Sequence, residues 1–114
     1  MEIFMSAYAE INIKENMPTV SEAMIYLKSC VASCKRGNCL VIIHGYGSTG
    51  KGGAIRDKAR QWLNAQKREG KIKHVINGED LDIFNLDALD LKARHRELEA
   101  YFKVCNHGVT VIEI

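Results

Sequence analysis

The sequence predicts an α/β domain: a two-layer sandwich on a four-stranded, mixed, mostly parallel sheet in βαβα-β-(α)-β order. Three observations lead there. Short apolar runs of strand length alternate with longer stretches that are apolar at every third or fourth position. A glycine-rich loop separates the second apolar run from the helical stretch after it. The chain has 114 residues, which suits one domain, residues 1–114, with a single core.

Taken in order, Ala9 to Lys14 alternates, with Ile11 and Ile13 apolar among Glu10, Asn12 and Lys14, as a half-buried strand does. Thr19-Val20-Ser21-Glu22 is a capping box, with Thr19 as N-cap and Glu22 three residues on. Val20, Ala23, Met24, Leu27, Cys30, Val31 and Cys34 then form the stripe of an amphipathic helix. Lys35-Arg36-Gly37 ends it. Cys39 to Ile43 is a continuous apolar run, suited to a central strand covered on both faces. A second helix starts near Ala54, with Ile55, Ala59, Trp62 and Leu63 inward and Arg56, Arg60 and Lys67 free to face solvent. Gly70 closes it, and Ile72 to Ile76 reads as a third strand. Leu91 to Phe102 reads as one helix with Leu91, Leu98, Tyr101 and Phe102 inside and Arg94 and Glu97 outside, part of an extra acidic segment near 79–104. Val109 to Ile114 is the last strand, antiparallel if it follows a return connection.

Composition narrows the function classes. Apolar residues make up 46% and charged residues 26%, which is ordinary for a globular chain and argues against disorder. No apolar run reaches the ~20 residues of a membrane helix, and Met1 to Met5 lacks a basic n-region, so neither a membrane span nor a secretory leader is expected. The expected compartment is the cytoplasm, with reduced thiols. Cys30-x3-Cys34-x4-Cys39 does not match common zinc spacings, and these cysteines read as small buried hydrophobes. Net charge is only +2, but it is unevenly spread. Lys51 to Lys73 carries eight basic and two acidic residues, whereas Glu79 to Glu99 carries seven acidic and three basic. The basic block suits an anionic partner such as DNA or RNA.

The loop His44-Gly45-Tyr46-Gly47-Ser48-Thr49-Gly50-Lys51 sits where open parallel sheets bind ligands, beyond a strand's carboxyl end. Glycines let backbone approach an anion, and the following helix N-terminus favours one. Gly45-x-Gly47-x-x-Gly50 matches a dinucleotide fingerprint, but it follows the second strand and the chain has little room for a second half-fold. Gly45-x4-Gly50-Lys51 approaches a phosphate-binding loop, but Gly52 stands where a magnesium-holding Ser or Thr belongs.

A third pattern covers more of the chain. Val41-Ile42-Ile43-His44-Gly45-Tyr46-Gly47, then Gly53-Ala54-Ile55-Arg56, resembles the Smr (small MutS-related) domain, with its His-Gly-x-Gly loop and Gly-x-Leu-Arg helix entry. Thr19 to Ala23 is similar to the start of that family's first helix, and Gly108 to Ile114 to its terminal strand. The resemblance implies a fold like the C-terminal domain of translation initiation factor 3. It also implies DNA or RNA binding, with endonuclease activity in several members and ribosome-linked or protein partners in others. Two features depart from the pattern. The family's first strand usually ends in Leu-Asp-Leu-His-Gly, and here no Asp, His or Gly lies between Glu10 and Pro18. The Ser48–Gly52 stretch is longer than usual.

On this basis His44 is the candidate catalytic acid or base. Gly45 and Gly47 offer backbone donors. Lys51, Arg56, Arg60 and Lys14 can bind phosphate, and Tyr46 can stack on a base. Lys14 reaches His44 if the first two strands are neighbours. Asp80-x-Asp82 could hold magnesium, though acidic surface turns are common. His74, His95 and His107 read as packed or solvated, and Trp62 as core. The competing class is a non-catalytic module whose basic helix docks on a ribosomal or protein partner.

Overall fold

The strands and helices follow one another as β1 (Tyr8–Asn12), α1 (Val20–Ser33), β2 (Cys39–Ile43), α2 (Gly50–Arg68), β3 (His74–Asn77), α3 (Leu86–Arg94) and β4 (Val109–Glu113). Short 3₁₀ segments, Gly78–Asp80 and Arg96–Lys103, flank α3. The computed structural model describes residues 8–45 and 50–114, without the side chains of residues 50–52 and 103.

The sheet order is β1-β2-β4-β3. β1 runs parallel to β2, with Ile11 opposite Ile42. β4 lies antiparallel to both β2 and β3. Three strands therefore point one way and β4 the other, so "mostly parallel" describes strand direction while two of the three ladders are antiparallel. β4 enters between β2 and β3 by a return connection, and that insertion reverses it.

α1 and α2 cover one face and complete the two-layer sandwich. Leu27, Ile55, Ala59 and Leu63 pack there on Leu40, Ile42 and Ile112. The capping box of α1 forms: the Thr19 hydroxyl accepts from the Glu22 amide at 3.1 Å, and the Glu22 carboxylate accepts from the Thr19 amide at 2.8 Å. Trp62 lies half-buried against this core, with the Lys28 ammonium 5.7 Å from its ring centre. The acidic segment, an addition to those two layers, covers the other face. Ala88, Leu91 and Leu98 pack on Val41, Ile76 and Val111, with Tyr101 edge-on to Tyr8. β2 and β4 are consequently buried on both faces, and this explains their unbroken apolar runs.

Several boundaries differ from the sequence expectation. α2 begins at Gly50, ahead of the expected start near Ala54. β1 ends at Asn12, whose side chain accepts from the Lys14 amide at 3.0 Å and bends the chain away. β3 starts at His74, because Lys73 and its neighbours form the entry turn. The helix expected over Leu91–Phe102 is two pieces. Asn85 caps α3 early by accepting from the Ala88 amide at 2.9 Å, and His95 leaves helical geometry so that its ring turns inward. Arg94, expected outside, turns its guanidinium onto Glu113.

Candidate nucleic-acid interface

β1 and β2 end side by side, and this brings Lys14 to the glycine loop. Gly45 has φ +81°, a conformation that favours glycine, and a Cβ there would meet the Lys14 Cδ at 2.8 Å. The Lys14 stem therefore lies across Gly45 while the residue itself remains exposed. On the other side the start of the loop is held to Gly108, just before β4. The His44 and Gly45 amides both donate to the Gly108 carbonyl at 3.0 Å.

His44 is fully buried. Its Nδ1 lies 2.9 Å from the Gly45 carbonyl oxygen, which can only accept, so Nδ1 carries the proton. Its Nε2 lies 2.9 Å from the Thr110 hydroxyl. Thr110 Oγ1 also accepts from Arg60 Nε at 2.9 Å, so its own proton points to His44 Nε2. The ring is thus neutral with both nitrogens engaged. Its pKa falls to about 4, first through burial and then through the nearby Arg60 and Arg56 charges, against the bond to Gly45.

Arg60 does not face solvent as its place in the helix suggested. Its guanidinium turns inward and grips Glu79 with two bonds of 3.0 and 2.8 Å. It also donates to the Val109 and His107 carbonyls. Held this way, Arg60 braces α2 against the start of β4, and a phosphate could take it only by displacing Glu79. Burial alone would raise the Glu79 carboxyl, but Arg60 more than offsets that and holds it below its usual range. His107, largely exposed, places Nδ1 3.4 Å from the same carboxylate.

Of the expected site residues, Lys14, His44 and Gly45 come together. Arg56 lies close enough to lower the His44 pKa, and its Nε meets the Asp57 carboxylate at 3.3 Å. Tyr46 and Gly47 lie outside the described residues. Lys51 is in the first turn of α2, with its side chain outside the description. Asp82 accepts from the Phe84 amide at 2.9 Å, so one carboxylate of the expected magnesium pair closes a turn.

Thr110 and Glu79 are neighbours of the site that pattern-reading missed: Thr110 bonds His44 and Arg60, and Glu79 bonds Arg60. Thr110 had a signal: a hydroxyl in the apolar run Val109–Ile112 needs a buried partner. Glu79 had none beyond following the Asn77-Gly78 turn. Gly78 itself has no room for a side chain, since a Cβ would strike the Asn106 carbonyl and Val109.

Among the described residues no helix is long and apolar enough to cross a membrane. Comparison with the curated proteins and with the solved structures finds no match. A family model for the Smr domain matches residues 16–79, a stretch that runs from before α1 to Glu79 and contains the His44 loop. That match covers more than half of the chain, and with it the loop, α1 and α2 fall into place: the chain belongs to the Smr domain family.

Proposed function

We propose that this domain binds nucleic acid at the carboxyl ends of β1 and β2, without cleaving it. The observation that carries the proposal is the seating of Lys14 across Gly45, beside the loop that opens the basic helix α2. Lys14 and the cations of the first turns of α2, Lys51 and Arg56, supply phosphate contacts. The backbone of Gly45 and Gly47 approaches the strand, and Tyr46 stacks on a base. His44 organises the loop through the Gly45 carbonyl and Thr110.

Cleavage would ask more of His44 than this geometry provides. A general acid or base must reach the proton it moves, and both ring nitrogens already have partners. The carboxylate and histidine usual at the end of the family's first strand are replaced here by Lys14, an anion grip. The test is a gel shift and cleavage assay on labelled single- and double-stranded RNA and DNA, with magnesium and with chelator. Shifted but intact strands are expected. Cleavage that His44→Ala abolishes in a folded protein would make the domain a nuclease instead.

A second reading has its own observation. Ile83, Phe84 and Leu86 are 67%, 88% and 80% exposed on the acidic segment. An apolar patch of this kind suits a protein partner. Salt-insensitive protein binding with no nucleic-acid affinity would favour that reading.

A further inference from the structure

A second cluster of reactive side chains lies at the other end of the sheet from His44. Cys39 opens β2, Glu113 closes β4 directly opposite it, and His95 turns in from the break after α3. The three are 1%, 3% and 5% exposed. One ligand atom from each, the Cys39 sulfur, a His95 ring nitrogen and a Glu113 oxygen, lies within 4.8 Å of the other two.

We propose that Cys39, His95 and Glu113 form a binding site for one zinc-class transition-metal ion. Sulfur, imidazole and carboxylate are the donors that such an ion takes, and three protein ligands leave one position open. About a tetrahedral ion the donors stand roughly 3.2–3.6 Å apart, so the Cys39 sulfur must approach by up to about 1 Å while the His95–Glu113 pair opens by a few tenths. His95 Nε2 and Glu113 Oε2 are already 2.9 Å apart, sharing the proton that a metal would displace.

The outer partners of a metal site are also present. The far nitrogen of the His95 ring, Nδ1, is buried without a hydrogen-bond partner, and it lies 3.6 Å from the Glu97 carboxylate. Closing that gap by about half an ångström would let the carboxylate orient a ligating imidazole. Arg94 donates to both oxygens of Glu113, which fixes the carboxylate and still leaves lone pairs for a metal. The Arg94 charge is shared in turn with Asp90. An entry path exists: a cleft lined by Arg36, Lys73, Arg94, His95 and Glu113 opens onto two of the ligands. Its cations suit a water or an anion in the open position.

The test is a cobalt(II) titration of the untagged full chain, with thiols kept reduced. A single equivalent should bind with a thiolate-to-cobalt absorption band, and zinc should displace it. Cys39→Ser should abolish the band, while Cys34→Ser, Cys105→Ser and His44→Ala keep it. If Cys39→Ser fails to fold by circular dichroism, His95→Gln, which keeps the thiol, should weaken binding by about tenfold or more. Absence of a thiolate band in wild type, or a band that depends on Cys34 or Cys105, would overturn the proposal. Retention of the band in His44→Ala keeps this result separate from the fate of the nucleic-acid site.

Discussion

His44 carries a stability signature that its burial dictates. The folded protein holds the ring neutral, with a pKa of about 4 against 6.5 when unfolded. The unfolded chain therefore binds a proton first as the pH falls. Stability contributed by the neutral ring is complete above pH 6.5 and is lost progressively down to about 4. The full loss is on the order of 3 kcal/mol. Glu79 and Glu113 add their losses at lower pH, because the upward push of burial on each is outweighed by Arg60 and Arg94. Thermal melts of wild type and His44→Gln between pH 7 and 5 should separate the terms. Wild type should lose more stability over that interval than the variant, and parallel losses would contradict a buried neutral ring. The place of His44 was legible, since an apolar strand followed by His-Gly puts the ring at a carboxyl end. Its confinement was not. That depends on Thr110 and Arg60, which lie 66 and 16 residues away and meet His44 only through the β2–β4 pairing.

At the scale of elements, α1 and α2 were legible because their stripes repeat at helical spacing and face one core. Thr19 begins α1 through two reciprocal bonds. Thr19→Ala should lower stability by about 1 kcal/mol, read as a shift in the urea midpoint with the slope unchanged. A midpoint that does not move would mean the cap contributes nothing. The acidic segment was harder to read. Its apolar positions, Ala88, Leu91 and Leu98, keep helical spacing throughout, yet the helix stops at Arg94, where His95 turns its ring onto Glu113 instead. A buried carboxylate in a central strand needs partners, and Arg94 and His95 supply them. The antiparallel setting of β4 was read from the return connection. Its position between β2 and β3 is a property of pairing that no local pattern reveals.

For the molecule as a whole, charge and topology divide the surface. The basic block falls mostly on α2, beside the loop end of the sheet, and the acidic block on the opposite face. Part of each block is internal. Arg60 pairs with Glu79 and Lys67 with Asp87 at 3.2 Å, so the two blocks also fasten one face to the other. A count of charges along the sequence overstates what is left to attract a partner, and the proposed phosphate grip draws on Lys14, which lies outside the basic block. The measurement that tests the central claim is fluorescence anisotropy of labelled single- and double-stranded nucleic acid across a salt series, with wild type and Lys14→Ala. Wild type should bind with affinity that falls steeply as salt rises. Lys14→Ala should bind more weakly, with a log–log salt slope shallower by about one. Wild type that binds no nucleic acid, or a Lys14→Ala variant with unchanged affinity and slope, would contradict a phosphate grip at the ends of β1 and β2.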